Sequence, residues 1–385
     1  MKILFLLPTL SVGGLERVQV TIANALAARG HDVTVMTYME GAALAGELDP
    51  RVRFVYRKRR PFSLMRKIPY IRHKFYDDGM WETRASAKAL HRYYVGKEYY
   101  DVEIAFFRGM GIKTISGCPK SRKTIRIAWV HTDFRLAGGY RNNFSSLEAV
   151  RAAYASFHSV VCVSEEAKRG FVEVIGETGN LSVIHNLLPV ENIRRLGALP
   201  LAQATRKGSF HIVLVARLLD SAKGHCRLLN VVRQLQDEGF DFSFTFVGGG
   251  PDEKKIREMI SLLGLSDRVT MTGSQNNPYP YIKEADLLIC ASYFEGYNLT
   301  VAEALILGVP VISTECTGPS EILDHGKYGM IVENSQQGIY RGLKELLSNP
   351  EKMEWLRQKA AERLGFFDEE AIMQKIESLF GGAKE

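Results

Sequence analysis

The fold is decided by the stretch Leu287-Leu-Ile-Cys-Ala-Ser-Tyr-Phe-Glu-Gly-Tyr-Asn-Leu-Thr-Val-Ala-Glu-Ala-Leu-Ile-Leu-Gly-Val-Pro-Val-Ile-Ser313. An apolar run is followed by a glycine turn, a segment with helical spacing, a Gly-Val-Pro stop and a second apolar run. This order predicts a strand, a helix and a strand. Strands joined through a helix run parallel, so the stretch predicts part of a parallel sheet.

The same alternation extends in both directions from this stretch. In the first half, strands are predicted at Lys2–Leu7, His31–Thr37, Arg53–Tyr56, Val102–Phe106, Thr124–Val130, Ser159–Val163 and Ser182–His185. In the second half, they are predicted at His211–Val215, Ser243–Val247, Val269–Thr272, Leu287–Cys290, Val311–Ser313 and Met330–Val332. Amphipathic helices between them include Leu15–Ala28, Glu165–Ile175, Lys223–Glu238, Asp252–Leu263, Tyr279–Glu284, Leu299–Leu307 and Gln336–Ser348. Apolar strands alternating with helices predict an α/β protein with two parallel sheets, each covered on both faces.

The domain boundary is expected between the two halves. A chain of 385 residues is long enough for two or three domains. The segment from Leu187 to Ser209 carries two prolines, two glycines and clustered basic residues. We therefore expect an N-terminal domain over residues 1–188 and a C-terminal domain over residues 209–364. Residues 365–385 are expected to form a helix that packs back on the first domain.

Composition indicates a globular enzyme of the cytoplasm. Apolar residues make up 46% of the chain and charged residues 24%. The five cysteines include no Cys-x-x-Cys pair, which argues against a zinc knuckle or a disulfide framework and favours reduced thiols. The apolar run from Ile3 to Leu7 is too short for a signal peptide. No apolar stretch approaches the length of a membrane span.

The net charge of +7 is concentrated in one window. Ten Lys or Arg residues and no acid lie between Arg51 and Lys74, whereas 40 basic and 43 acidic residues lie outside it. Aromatic and aliphatic residues alternate with these cations, which predicts contact with an anionic membrane surface or a polyanionic acceptor. The alternative interpretation is a solvated loop and helix face. No other segment has the pattern of a nucleic-acid module, so we expect no nucleic-acid partner and a peripheral position on the inner face of the membrane.

Two carboxylates in the opening stretch are suited to a sugar ligand. Glu295 lies on the turn after a strand, and Glu303 lies one turn into the next helix. A carboxylate accepts paired hydrogen bonds from neighbouring sugar hydroxyls, and the helix start between the two can hold phosphate. This combination points to a nucleotide-sugar. The ordinary alternative is a pair of solvated carboxylates.

Further polar residues follow the ends of predicted strands, where parallel sheets bind ligands. Gly13 and Gly14 follow the first strand, and His131 follows the strand that ends at Val130. Arg217 and Lys223 follow the first strand of the second half, where two cations can neutralise a diphosphate. Each has an ordinary alternative, namely a tight turn, a structural histidine and a charged loop.

Several signatures are missing from the sequence. There is no Asp-x-Asp, so we expect no carboxylate-held metal and no cofactor. There is no P-loop and no Gly-x-Ser-x-Gly, which argues against a P-loop NTPase and an α/β-hydrolase. The dinucleotide fingerprint Gly-x-Gly-x-x-Gly is also absent, which disfavours an oxidoreductase.

Taken together, these segments resemble the family 4 retaining glycosyltransferases of the GT-B fold, in particular members that build bacterial surface polysaccharides. The resemblance is carried by Gly13-Gly-Leu-Glu-Arg17 with Arg29-Gly-His-Asp-Val33, by Arg217 with Lys223-Gly224, and by Gly273 through Glu321 with its Glu-x7-Glu spacing. It implies two Rossmann-like domains that face a central cleft.

The resemblance also implies roles for individual residues. Catalytic roles fall on residues that contact the diphosphate or the donor sugar, which are Arg217, Lys223, Glu295 and His131. Donor-binding roles, many of them through backbone groups, fall on Gly13, Gly14, Gly296, Tyr297, Asn298, Leu299, Thr300 and Glu303. Two features depart from the family pattern. The Arg-to-Lys spacing is one residue longer than the commonest form, and Asn298 stands where Gly or Pro is frequent.

The expected reaction is therefore transfer of a hexosyl or N-acetylhexosaminyl group from a nucleotide-diphosphate sugar, a UDP-sugar above all, with retention and without a metal. The expected acceptor is a glycan or a lipid-linked sugar. One alternative is a nucleotide-sugar epimerase on the same fold, which would convert the donor without an acceptor. Another is a non-catalytic partner subunit that binds a nucleotide-sugar.

Overall fold

The computed structural model describes residues 1–57, 84–136 and 142–381, and it divides the chain into two compact units. Unit 1 comprises Met1–Leu187 and the residues from Glu370 onward. Unit 2 comprises Leu188–Glu369.

Unit 1 is built on a parallel sheet of seven strands in the order β3-β2-β1-β4-β5-β6-β7. The strands are β1 Lys2–Leu7, β2 Asp32–Thr37, β3 Arg53–Tyr56, β4 Val102–Ala105, β5 Ile125–Val130, β6 Ser159–Cys162 and β7 Leu181–Val183. The described α-helices of the unit are Gly14–Ala28, Ala87–Tyr94, Met110–Ser116, Leu147–Tyr154 and Glu165–Ile175. The C-terminal helix Glu369–Ser378 also belongs to this unit, apart from its first residue. The order reverses between β1 and β4, which is the place where sheets of this kind bind ligands.

Unit 2 is built on a parallel sheet of six strands in the order β10-β9-β8-β11-β12-β13. The strands are β8 Phe210–Val215, β9 Phe242–Val247, β10 Val269–Met271, β11 Leu287–Cys290, β12 Val311–Thr314 and β13 Met330–Val332. The helices are Val190–Gly197, Asp220–Lys223, His225–Asp237, Glu253–Leu262, Tyr279–Lys283, Leu299–Ile306, Thr317–Ile322, Gln336–Ser348 and Pro350–Glu362. Here the order reverses between β8 and β11.

Burial and capping explain why these segments adopt their structures. The central strands are apolar and buried along almost their whole length, as in β1 and β11. Parallel strands covered on both faces require such continuous apolar runs. Helices begin where a serine side chain accepts a hydrogen bond from the N–H three residues later, as at Ser86, Ser164 and Ser335.

The sequence predicts the elements well. All thirteen predicted strands are present with their ends displaced by at most two residues, and the α/β class with two parallel sheets is confirmed. The predicted helix Lys223–Glu238 is wrong at its start. Lys223 ends a single helical turn, Gly224 adopts φ 67°, and a new helix begins at His225. The break is required because a Cβ on Gly224 would lie 2.4 Å from the carbonyl oxygen of Ala291.

The segment between the halves is not only a connection. Its helix Val190–Gly197 belongs to unit 2, where Asn277 donates to the carbonyl oxygen of Leu196 at 3.0 Å. The C-terminal residues from Glu370 belong to unit 1, where Glu377 contacts His31 Nε2 at 3.1 Å. The ring of Phe380 also packs edge-on against that of His31 at a centroid distance of 5.8 Å.

Within the described ranges, no helix has the length and apolar character needed to cross a bilayer. The basic window from Arg51 to Lys74 lies mostly outside the described residues, which end at Arg57 and resume at Arg84. Its predicted contact with a membrane surface therefore stays a prediction.

Candidate functional site

The candidate site of unit 2 lies where the strand order reverses. Arg217 follows β8, and the turn Ser292–Asn298 follows β11, which pairs directly with β8. The carboxyl ends of two neighbouring parallel strands therefore place the arginine loop and the glutamate turn at one edge of the sheet.

Glu295 is held through a single carboxylate oxygen. Its Oε1 accepts from Lys223 Nζ at 2.5 Å, Ser292 Oγ at 2.6 Å and Asn298 Nδ2 at 3.0 Å. Its Oε2 makes no hydrogen bond to any residue that the structure describes, and the side chain is 10% exposed. One oxygen is thus fixed by the protein, and the other remains available to a ligand hydroxyl.

Asn298 connects this carboxylate to the helix that follows. It adopts φ 70° and caps the helix Leu299–Ile306, its Oδ1 accepting from Val301 N at 3.2 Å and from Thr300 Oγ1 at 2.8 Å. Asparagine is one of the few residues with a side chain that enter the left-handed region readily. Its amide nitrogen meanwhile donates to Glu295. The departure at Asn298 therefore has a structural purpose that glycine or proline could not serve.

The backbone of the glutamate turn is packed tightly from one side. A Cβ on Gly318 would lie 2.4 Å from the Cα of Tyr297, and Thr317 Oγ1 donates to the carbonyl oxygen of Glu295 at 2.5 Å. The Tyr297 side chain is 4% exposed, and burial raises its pKa. Since the ring is buried, only the main chain around Gly296 and Tyr297 is available to a ligand.

Glu303 lies inside the helix Leu299–Ile306 and is 6% exposed. The hydroxyl of Tyr279 donates to its Oε1 at 3.4 Å. A carboxylate that is so nearly buried requires hydrogen-bond donors, and Tyr279 supplies one of them. The position is compatible with the predicted contact to ribose hydroxyls.

Arg217 presents a free guanidinium on a fixed backbone. The flanking N–H groups of Ala216 and Leu218 donate to the carbonyl oxygens of Val247 at 3.1 Å and Gly249 at 3.0 Å. The side chain is exposed and makes no hydrogen bond or ion pair within residues 1–57, 84–136 and 142–381. The backbone of Arg217 is therefore fixed, and no anion among the described residues compensates its positive charge.

Sequence reasoning missed Arg227, which anchors the strand end before Glu295. This arginine is 8% exposed, and its Nη2 donates to the carbonyl oxygens of Ala291 at 2.7 Å and Ser292 at 3.0 Å. It also donates to Asn334 Oδ1 at 2.7 Å and stacks on the Tyr293 ring at 3.8 Å. An arginine inside an amphipathic helix carries no sequence signal of such burial, because it looks like part of the polar face.

Asp220 was also missed, although it shapes the loop between Arg217 and Lys223. Its Oδ1 accepts from Cys226 N at 2.8 Å, and its Oδ2 pairs with Lys255 at 2.9 Å. Burial opposes ionisation, but these hydrogen bonds outweigh it and lower the pKa of Asp220. The aspartate four residues before Gly224 is a signal for a capped loop that sequence reasoning could have used.

Three predicted site residues lie in unit 1. Gly13 has an extended backbone and precedes the helix that begins at Gly14, and a Cβ on Gly13 would lie 2.3 Å from Glu16 Oε2. His131 is 9% exposed and packs against Phe106 with ring centroids 4.5 Å apart. Neither of its ring nitrogens reaches a partner with ordinary hydrogen-bond geometry among the described residues.

The charge state of His131 follows from its surroundings. Burial lowers its pKa to about 3, against a weaker opposing effect of the Phe106 backbone. The ring is therefore neutral near pH 7, and it suits hydrogen bonding to a ligand better than proton donation as a cation.

A separate cluster in unit 1 has the residue types of a metal site. His91, Glu103 and Cys118 are buried, and one ligand atom from each lies within 4.8 Å of the others. His91 Nε2 and Glu103 Oε2 are 2.9 Å apart, which satisfies the histidine without an ion. None of the predicted donor-site residues belongs to this cluster.

Unit 2 brings Lys223, Glu295, Asn298 and Thr300 into one hydrogen-bonded group. Arg217 lies at the end of the adjacent strand. Gly13, Gly14 and His131 lie in unit 1.

Comparisons with known proteins agree with this architecture. The family model described as "Glycosyltransferase Family 4" matches residues 12–192, and the model described as "Glycosyl transferases group 1" matches residues 202–363. An uncharacterized glycosyltransferase of Haemophilus influenzae is 25% identical over 346 residues, covering 89% of this chain and 88% of that protein.

Two further proteins are similar. The N-acetylgalactosamine-N,N'-diacetylbacillosaminyl-diphospho-undecaprenol 4-alpha-N-acetylgalactosaminyltransferase of Campylobacter jejuni is 28% identical over 192 residues, which are 49% of this chain and 50% of that protein. The solved structure of HepE from Anabaena in complex with UDP has a TM-score of 0.75 at 19% identity, covering 99% of this chain and all of that one. The two family models together match most of the sequence, one over each half, and the chain belongs to the family 4 glycosyltransferases with the GT-B fold.

Proposed function

We propose that the chain transfers a hexosyl or N-acetylhexosaminyl group from a UDP-sugar to a glycan or lipid-linked acceptor, with retention of configuration and without a metal ion. The observation that carries the proposal is the state of Glu295, whose Oε1 is fixed by three donors while Oε2 remains open. A carboxylate held in this way is preorganised to accept hydroxyl groups of a donor sugar.

The diphosphate of the donor is assigned to the cations beside this carboxylate. Arg217 has an exposed guanidinium without a partner among the described residues, and Lys223 retains N–H donors beyond the one given to Glu295. The start of the helix Leu299–Ile306 adds backbone N–H groups. The similarity in fold to HepE, which was solved with UDP, supports uracil as the base of the donor nucleotide.

The proposed chemistry is a dissociative transfer. The bond between the anomeric carbon and the diphosphate oxygen breaks as an oxocarbenium-like sugar forms, and the diphosphate carries away the electron pair under Arg217 and Lys223. The acceptor hydroxyl attacks from the face that the diphosphate leaves, and its proton passes to the leaving phosphate. Electrostatic stabilisation of the departing charge is worth roughly 3 kcal/mol for each key donor.

The acceptor class is proposed from a relative and from charge. The Campylobacter jejuni protein acts, by its name, on a sugar linked to diphospho-undecaprenol. The basic window from Arg51 to Lys74 would dock the chain on the anionic lipid around such an acceptor. Reversing the charges of Arg59, Arg60, Arg66 and Lys67 should then abolish binding to anionic liposomes, and unchanged binding would contradict the docking.

A thermal-shift screen tests the donor. The protein is heated with UDP, GDP, ADP, CMP and their sugars, each with and without EDTA. A ligand at a hundredfold excess over its Kd stabilises the folded protein by about 2.7 kcal/mol. We expect a response to UDP and a UDP-sugar that EDTA does not change. Absence of any response to nucleotides would contradict the proposed donor, and a response abolished by EDTA would contradict metal independence.

The reaction itself is checked with the responding donor. Conversion of the donor without an acceptor would indicate the epimerase alternative, and binding without turnover on any acceptor would indicate the non-catalytic one. Retention is tested by the anomeric coupling constant of the product in proton NMR, where inversion would contradict the proposed mechanism.

A further inference from the structure

Arg108 in unit 1 is a half-buried cation that has no anionic partner in the part of the chain that the structure describes. It lies in the loop that follows β4, and burial lowers its pKa. Its one side-chain hydrogen bond within the described ranges goes from Nη1 to the neutral hydroxyl of Thr132 at 3.0 Å. A partly desolvated charge is costly when no anion compensates it.

Two arginines of unit 2 with low or intermediate exposure are bound by several groups. Arg227 donates to three oxygens, from Ala291, Ser292 and Asn334, and stacks on an aromatic ring. Arg363 donates to two main-chain carbonyl oxygens and lies 3.8 Å from the centre of the Phe366 ring. These two arginines thus have several acceptors each, whereas Arg108 has one.

The acid next to Thr132, the hydrogen-bond partner of Arg108, is not available to Arg108. Asp133 follows Thr132, but both of its carboxylate oxygens accept from Arg135, at 3.0 Å and 2.5 Å. Glu166 also pairs with Arg135. Among the described residues at this edge, these carboxylates are committed to another cation.

The position of Arg108 in the sheet is that of a ligand-binding residue. Unit 1 reverses its strand order between β1 and β4, and unit 2 reverses between β8 and β11. Glu295 follows β11 as Arg108 follows β4, each in a loop that leads into a helix. Ligands of parallel sheets bind beyond the carboxyl ends of strands at this reversal. The adjoining Gly109 has φ 77°, and Asn143 lies beside it.

We propose that Arg108 binds a phosphate group of a substrate at the carboxyl end of β4, with Thr132 orienting its guanidinium. Four N–H donors of the fork remain for the anion, and arginine suits phosphate because two of them can bind in parallel. The inference rests on the proposed function and deepens it, since a lipid-diphosphate acceptor would supply this phosphate. The diphosphate of the nucleotide-sugar donor is the other source of such a phosphate.

The experiment uses the full chain and inorganic pyrophosphate as the probe. Calorimetric titration with pyrophosphate is carried out with saturating UDP present, so that the proposed donor site is occupied. We expect wild type to bind pyrophosphate and Arg108→Gln to bind it about 10- to 100-fold more weakly. This is the loss of affinity that removal of a charge-assisted hydrogen bond produces. Arg108→Lys should recover part of the affinity. Arg126→Gln is the matched control, since Arg126 is also half-buried in unit 1 but lies at the start of β5.

The outcomes distinguish the acceptor from the donor as the source of the phosphate. They also distinguish failure of the Arg108 inference from failure of the proposed function. If Arg108→Gln weakens UDP binding instead, the phosphate belongs to the donor. If UDP does not bind at all, the proposed donor fails, but pyrophosphate titrated alone still tests Arg108. No pyrophosphate binding by wild type, or equal affinity of wild type and Arg108→Gln, would overturn the inference.

Thermal unfolding supplies a second readout. Arg108→Gln removes an uncompensated charge, so its Tm should equal or exceed that of wild type. A lower Tm together with unchanged pyrophosphate affinity would assign Arg108 a structural role and overturn the proposal.

Discussion

At the scale of single residues, the charge of Glu295 is the most informative to remove. Glu295→Gln keeps the shape of the side chain but abolishes the ion pair with Lys223 and the acceptor strength of Oε2. We expect kcat/KM to fall by about two orders of magnitude, close to 3 kcal/mol of lost transition-state stabilisation. Steady-state kinetics with the identified donor measure this.

Glu333→Gln is the control for this change, because its ion pair with Arg341 is exposed on both sides and belongs to the same unit. Such surface pairs contribute little. Equal losses in the two variants would remove Glu295 from the site.

Asn298 adopts a left-handed backbone conformation, caps a helix and donates a hydrogen bond to Glu295. Two substitutions separate the backbone conformation from the hydrogen bonds. Asn298→Gly keeps the left-handed backbone, so it should cost only a few tenths of a kcal/mol in unfolding free energy. Asn298→Ala loses the cap and strains the backbone, at a cost of about 2 kcal/mol. Both lose the amide donor to Glu295, so both should raise the KM for the donor. Denaturant unfolding and kinetics check the two effects, and equal stabilities would refute the conformational argument.

At the scale of elements, the contact between the helix Thr317–Ile322 and the glutamate turn sets the position of the site. In Gly318→Ala, the new Cβ would lie 2.4 Å from the Cα of Tyr297. Neither atom can move away by a side-chain rotation, because the Cα is part of the main chain and the Cβ is bonded directly to it. The glutamate turn must shift to relieve this contact. A displacement of about 1 Å at a reacting centre can lower the rate by about 100-fold. We expect activity to suffer more than folding, as measured by kcat and by Tm.

Gly365→Ala serves as the control, since nothing lies within 4 Å of a Cβ on Gly365 and its φ is ordinary. This variant should match wild type in both measurements. Full activity of Gly318→Ala would show that the turn tolerates movement.

The elements themselves were largely predictable from sequence, and the reasons are local. Short apolar runs bounded by turn residues, such as Leu287–Cys290, are typical of buried strands, and glycines mark the ends of helices. The break at Gly224 was not predictable, because it follows from a carbonyl oxygen of Ala291, a residue 67 positions away in the sequence.

The same distinction applies to the site. Positions after strand ends led to Arg217, Lys223 and Glu295, but the pairing of Lys223 with Glu295 depends on side-chain geometry. Arg227 supports the site through contacts that no spacing reveals, whereas Asp220 carries only the local signal of its distance from Gly224. Supporting residues are thus harder to predict than the candidate residues at the ends of strands.

At the scale of the whole molecule, three buried histidines predict how stability depends on pH. Burial lowers the pKa of His131 to about 3 and those of His211 and His225 to about 4. The unfolded chain binds protons at these positions near pH 6.5, so the stabilising contribution is complete above that pH and is lost as the pH falls toward 4. The unfolding free energy should decrease by about 1.4 kcal/mol per pH unit for each histidine across this window.

Denaturant unfolding between pH 4 and pH 8 measures this slope. His131→Phe is the informative variant, because the ring lies against Phe106 and makes no hydrogen bond of ordinary geometry to a described residue. Its stability should fall less steeply with acid than that of wild type. An identical slope would mean that His131 titrates normally in the folded chain.

The ion pair between Lys223 and Glu295 bears on how the protein selects its ligand from a phosphate-rich solution. A free inorganic anion that approaches Lys223 must compete with a carboxylate already in place at 2.5 Å. A ligand that carries both phosphate and sugar offers Glu295 a hydroxyl in exchange. Under the proposed function, we expect this exchange of partners to disfavour sulfate, phosphate and sugar-free nucleotides relative to the complete donor. Occupancy of the site by the abundant anions of a cell would then be limited without any steric gate.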